Sequence, residues 1–190
     1  MTLIYTDSEQ EQLGFVDISA PKPLGTLALE GEPTSVATKG VYALVAINTS
    51  KDYVDTAGIL EIVLISSQKS ITKFNLGGQP DSISVFPDGN YAVAVIENER
   101  DEDLVDGEAP QLPAGFVYVI DCSPSNPLDW VVEKVELAGL PNVLFPTDPE
   151  PEFVFINSNN VAVVTLQENN ALVLIDLKSK NITASQLHCW

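Results

Sequence analysis

The chain has 190 residues, 27 of them Asp or Glu against 9 Lys or Arg, so its formal net charge is −18. Nucleic acid and anionic membrane surfaces are excluded as partners, because both are gripped by Lys and Arg, and Arg100 is the only arginine. With 45% hydrophobic residues the chain still buries a core, and its length suits one domain of about 100–200 residues or part of a larger one.

The start, Met1-Thr2-Leu3-Ile4-Tyr5-Thr6-Asp7, lacks the basic segment and apolar run of a signal peptide. Gly14-Phe15-Val16-Asp17-Ile18 is the first predicted strand and Leu24 to Leu29 the second, ending in the turn Gly31-Glu32-Pro33. A hairpin follows, from Ser35-Val36-Ala37 through Lys39-Gly40 to Tyr42-Ala43-Leu44-Val45-Ala46. Gly58 to Ile65 and Ile71 to Leu76 form the next pair, ending in Gly77-Gly78-Gln79-Pro80. Pro stops each strand because it has no N–H to give to a ladder. The second hairpin, Ser82 to Val95, turns at Pro87-Asp88-Gly89-Asn90, which supplies the positive φ a tight turn needs. Gly115-Phe116-Val117-Tyr118-Val119-Ile120-Asp121 and Val131 to Leu137 repeat the pair, with Gly139-Leu140-Pro141 as its turn. Phe153 to Ile156 and Val161 to Thr165 make the third hairpin, and Ala171-Leu172-Val173-Leu174-Ile175-Asp176 opens another copy. No stretch approaches ~18 uninterrupted apolar residues and no segment has useful helical periodicity, so neither a membrane span nor much helix is expected.

The unit is therefore four strands joined by turns. Successive copies start 44, 57 and 56 positions apart, at Gly14, Gly58, Gly115 and Ala171. A four-stranded propeller blade takes about 40–50 residues. The longer copies carry insertions: the acidic loop Asn98 to Pro113, and Ser123 to Pro127 with Pro146 to Pro151. The expected fold is all-β: consecutive four-stranded antiparallel blades of a β-propeller, with units at 14–57, 58–114, 115–170 and a partial unit at 171–190. Closed propellers have about 4–8 blades, so an incomplete propeller is expected, completed by missing blades or another chain.

The pattern of Ile-Asp strand ends, Gly-x-x-Pro turn and Pro-Asp-Gly hairpin, clearest over Gly77 to Val95, resembles YVTN-type propellers. Three further stretches are similar to choice-of-anchor I domains and to related proteins described as having esterase-like activity of phytase. They are Glu97-Asn98-Glu99-Arg100-Asp101-Glu102-Asp103-Leu104, then Asp106-Gly107-Glu108, then Pro110-Gln111-Leu112-Pro113-Ala114-Gly115-Phe116. The resemblance spans roughly residues 10–185. It implies an extracellular or periplasmic propeller with a binding or scaffold role. The alternative it implies is a calcium-dependent phosphoester hydrolase of phytase type, whose catalytic part lies outside this chain.

Seven carboxylates fall within the twelve positions from Glu97 to Glu108, and they repel one another unless solvated or bridged by a cation. Glu97, Glu99, Asp101, Asp103 and Asp106, with Glu168 from the next copy, are the candidate calcium ligands; a basic protein partner is the competing occupant and a solvated loop the plainest reading. The loop is not an EF-hand. Counting from Asp101, Val105 and Asp106 fill the fifth and sixth places, where an oxygen ligand and Gly are needed. By repeat equivalence Asn48, Glu97 and Glu168 are expected near one end of the channel. Asp17, Asp121 and Asp176 are expected to bond backbone N–H groups of the turns that follow them. The sole histidine, His188, and the two cysteines, Cys122 and Cys189, offer no triad, zinc-knuckle spacing or disulfide framework. A single Cys122–Cys189 bridge or two isolated thiols both fit. Trp130 and Phe145 are expected between blades or over insertion loops.

Overall fold

The computed structural model describes residues 1–187; His188 and Cys189, and with them any bridge to Cys122, lie outside the described residues. The strands are β1 (Thr2–Asp7), β2 (Gln12–Asp17), β3 (Lys22–Ala28), β4 (Glu32–Lys39), β5 (Tyr42–Asn48), β6 (Gly58–Leu64), β7 (Lys69–Asn75), β8 (Pro80–Val85), β9 (Tyr91–Ile96), β10 (Phe116–Asp121), β11 (Val131–Glu136), β12 (Pro151–Ile156), β13 (Val161–Leu166), β14 (Ala171–Asp176) and β15 (Asn181–Leu187). Among the described residues the only helical segments are two 3₁₀ turns, Val105–Gly107 and Pro127–Asp129.

These strands form four antiparallel sheets in chain order: β1-β2-β3, β4-β5-β6-β7, β8-β9-β10-β11 and β12-β13-β14-β15. Tight turns decide the pairing. At the β8–β9 hairpin Gly89 takes φ 73°, and the Asp88 carboxylate accepts the Asn90 N–H at 2.8 Å. Each sheet packs its first strand on the next: β4 on β8 and β8 on β12, with β5 also against β8 and β9 against β12. This is blade stacking about a common axis, with β4, β8 and β12 innermost.

Register places Asp17, Asp121 and Asp176 at one equivalent position, opposite Thr2, Tyr91 and Val161. Gly58 and Gly115 are equivalent to each other, at the start of the third strand, whereas Gly14 lies inside β2 opposite Tyr5. The reason for glycine at those two starts is space. A Cβ on Gly58 would lie 2.4 Å from Pro80 Cδ, and one on Gly115 would lie 2.5 Å from Pro151 Cδ, in each case against the next blade's innermost strand.

Three apolar cores fill the three junctions between successive sheets. Leu13, Phe15, Ala43, Val45 and Ile47 join the first to the second. Leu44, Leu60, Ile62, Ala92, Ile96 and Phe116 join the second to the third. Val93, Val95, Val117, Val154, Val164 and Ile175 join the third to the fourth. No comparable packing runs from the fourth sheet back to the first among the described residues. The propeller is not closed.

Leu60 is fully buried at the middle junction, so Leu60→Ala is expected to cost about 2–5 kcal/mol of unfolding free energy in urea titrations. Ile71→Ala, on the exposed outer strand β7, is expected to cost under about 1 kcal/mol.

Candidate functional site

One end of the stack gathers the starts of β4, β8 and β12 with the ends of β5, β9 and β13. Each innermost strand begins on an x-Pro step: Glu32-Pro33-Thr34, Gln79-Pro80-Asp81 and Glu150-Pro151-Glu152. The ladder shifts register just after each proline, as it must where a strand residue has no N–H. In the third copy the innermost strand runs Pro151–Ile156, beginning two residues before the expected Phe153, and its x-Pro step is Glu150-Pro151.

Two buried asparagines hold these strand starts in place. Asn98 accepts the Gln79 N–H at 2.8 Å and donates to the Ala114 carbonyl at 3.0 Å. Asn169 accepts the Glu150 N–H at 2.9 Å and donates to the carbonyls of Leu144 at 2.7 Å and Asp148 at 2.8 Å. In the paired motifs Glu97-Asn98 and Glu168-Asn169, asparagine is thus the member that holds the backbone in place.

The carboxylates collected there are Asp81, Glu97, Glu99, Glu150, Glu152 and Glu168. Burial, then the charges of Asp81, Glu152, Glu99 and Glu150, push Glu97 up to about 8. Burial chiefly, with Asp148, Glu168 and Glu152 adding and Arg100 opposing, pushes Glu150 up to about 7. Asp81 and Glu152 are raised by burial first and by carboxylate neighbours second. Asp148 is raised by burial, against the pull of the Gln111 N–H and Arg100.

Arg100 is already committed: its Nε lies 3.4 Å from Glu150 and its Nη2 2.5 Å from Glu168. Beside it a cleft of about 510 Å³ opens between the second and third sheets, with Asn48, Tyr53, Asp81, Glu97 and Glu99 in its lining. Lys51 also lines it, but pairs with Asp55 at 2.6 Å. Across the cleft, Tyr53 faces the acidic loop, whose charges, Glu99 foremost, raise its hydroxyl.

The expected calcium ligands divide. Glu97 and Glu99 line the cleft beside Asn48; of the three residues grouped by repeat equivalence, Asn48 and Glu97 are in its lining and Glu168 is not. Glu168 binds Arg100 beside Glu150 rather than entering the cleft. Asp101 is turned into its own loop, where its carboxylate accepts the Asp103 N–H at 2.9 Å, and Asp103 and Asp106 are exposed. Among the described residues no three acidic, histidine or cysteine side chains are grouped as a metal cage. The loop is instead organised by Gln111. Its amide donates to the Asp101 carbonyl at 3.0 Å and accepts the Asp101 N–H at 3.1 Å, while its own N–H donates to Asp148 at 2.7 Å. The Pro-Gln-x-Pro stretch thereby ties the two large insertions together.

Sequence reasoning missed Asp81, Asp148, Glu150 and Glu152. The signal for three of them was the recurring residue on either side of the x-Pro step. The turn aspartates do the structural job expected: Asp17 accepts the Ser19 N–H at 2.9 Å, Asp121 that of Ser123 at 2.9 Å and Asp176 that of Ser179 at 2.8 Å. Cys122 is buried and its thiol, by burial first, is pushed up to about 12, away from the reactive thiolate form. Trp130 is buried between sheets, its ring edge-on to Tyr42 at 6.2 Å, whereas Phe145 is exposed.

A carboxyl raised by folding stabilises the fold while protonated. That contribution is complete below the ordinary value of 4.5 and is lost as pH climbs through about 7 for Glu150 and about 8 for Glu97. The turn aspartates act in the opposite sense. Their lowered values give stability that is present above 3.8 and lost as pH falls. Melting temperature is therefore expected to peak near pH ~5 and decline toward pH ~9, with Glu97→Gln flattening the decline; a wild-type value rising steadily over that range contradicts the assignment.

The comparisons with known proteins agree with this architecture. No curated protein matches the sequence. The propeller domain of Cps50 (Swd1) from Myceliophteria thermophila superposes with a TM-score of 0.66 at 10% identity, over 99% of this chain and 55% of that one. A functionally unknown protein from Desulfotomaculum acetoxidans gives 0.65 at 10% identity, over 99% of this chain and 53% of its own. At such identity the likeness establishes the fold alone, and the chain spans about half the length of the solved proteins it matches. The family description "Choice-of-anchor I domain" matches residues 1–187, so the chain belongs to the choice-of-anchor I domain family.

Proposed function

We propose that this chain is the binding portion of a surface or extracellular propeller protein, and that its ligand is cationic and sits in the acidic cleft. The supporting observation is the charge balance at the cleft. Asp81, Glu97 and Glu99 line it, while Lys51 in the same lining pairs with Asp55, and Arg100, next in sequence to Glu99, pairs with Glu150 and Glu168. An incoming cation would gain from carboxylates that burial and mutual repulsion now hold toward the protonated form. Membership of the choice-of-anchor I family supports the surface placement.

The volume of the cleft, about 510 Å³, suits a basic segment of a protein better than a bare ion. Calcium remains the competing ligand, held by Glu97 and Glu99. Phosphoester hydrolysis draws less support, since the one arginine that would grip a phosphate is neutralised by two carboxylates.

Calorimetry at pH 8 and low salt separates these readings. Tetralysine is expected to bind with micromolar to millimolar affinity, weakening at least threefold in 0.3 M NaCl and in the Glu97→Gln/Glu99→Gln double variant. Heat with calcium chloride but none with tetralysine would move the reading to an ion site. Heat with neither refutes it. Calcium-dependent turnover of p-nitrophenyl phosphate would favour the hydrolase.

A further inference from the structure

The first sheet has three strands where its neighbours have four. Register identifies the missing one. Asp17, at the end of β2, pairs with Thr2 as Asp121 pairs with Tyr91 and Asp176 with Val161. Thus β1 is the counterpart of β9 and β13, the second strand of a blade, and it packs against β4 as β9 packs against β12. The innermost position, filled by β4, β8 and β12 elsewhere, is vacant beside β1. No strand of residues 1–187 is free to fill it, since every other strand is placed in its own sheet.

Both ends of the stack present faces that are buried elsewhere. In β1, Leu3 is 49% and Tyr5 40% exposed, whereas their equivalents in β9, Ala92 and Ala94, are 0% exposed. Those equivalents face the preceding sheet, so Leu3 and Tyr5 face the place of a preceding sheet. At the other end Phe153 is 60% and Phe155 62% exposed on the face of β12 turned away from the third sheet. The equivalents of these two in β8 are Ser82 and Ser84.

We infer that β1 is a docking edge for one added antiparallel strand, the innermost strand of a complementary propeller segment whose blades also cover the Leu3/Tyr5 and Phe153/Phe155 faces. Length argues for that occupant: the superposed proteins are nearly twice as long as this chain, which covers 55% and 53% of them. A second copy of the chain would cover the apolar faces but would bring no spare innermost strand. The pairing of β8 with β9 sets the expected register. A strand like β8 would place Ile83, Ser84 and Val85 opposite Tyr5, Ile4 and Leu3. Recognition of this kind draws affinity from backbone hydrogen bonds and specificity from alternate side chains.

Hydrogen–deuterium exchange on the intact chain tests this, with a synthetic peptide of residues 78–87 as the strand probe and its Ser84→Pro version as control. Alone, the chain is expected to exchange its β1 amides at least tenfold faster than those of β5 and β9. Millimolar peptide is expected to slow β1 selectively, and the proline peptide is not. Three results overturn the inference: β1 as protected as β5 in a monomeric free chain, β1 protection that tracks a dimeric mass in light scattering, or no selective slowing by the peptide.

Discussion

A β-sheet that is apolar on both faces has to be covered on both faces, and this constraint organises the whole molecule. In β9 the run Ala92-Val93-Ala94-Val95-Ile96 is buried without a break, alternate residues serving the core before the sheet and the core behind it. The second strand β5 behaves the same way. No sheet of this kind is stable in water by itself, since exposing either face returns several buried side chains to solvent at about 1.5–3 kcal/mol each. Stacking is the only arrangement that satisfies every interior sheet, and close stacking in turn requires glycine at Gly58 and Gly115, where the next innermost strand passes.

The acidic end is a product of the same geometry. Blades brought close enough to share a core also bring together whatever stands at the start of each innermost strand and at the close of each second strand. Here that means Asp81, Glu97, Glu150 and Glu152, acidic residues drawn from the starts of β8 and β12 and the close of β9. The buried amides of Asn98 and Asn169 fix the backbone on which these carboxylates ride, and Gln111 folds the long insertion back against the following one. Crowding is tolerated because Arg100 shares its charge between two partners and because the remaining groups hold their protons more tightly than free carboxyls do.

Much of the fold was legible because strand and turn signals here are local. Pro87-Asp88-Gly89-Asn90 dictates its hairpin, and Ile120-Asp121 and Ile175-Asp176 mark strand ends through a single side-chain bond to the next turn. The first strand, Thr2–Asp7, was not recognised: it has no Gly-Pro punctuation before it, and its Leu3 and Tyr5 find no buried counterpart. The candidate site was half legible. Glu97 and Glu99 stood out as part of a dense acidic run, but density overstated Asp103 and Asp106, which point to solvent. Asp81, Glu150 and Glu152 matter through register across sheets, and Asp148 and Glu150 through burial under an insertion; neither is a property of local sequence.

The open ends give the stack the character of a one-dimensional array. Among the described residues the two interior sheets have two neighbours each, while β1-β2-β3 and β12-β13-β14-β15 have one. Local opening in such an array starts at the ends and travels inward one sheet at a time. The acidic cleft, between the second and third sheets, sits at the middle one of the three junctions, with a further sheet packed on either side.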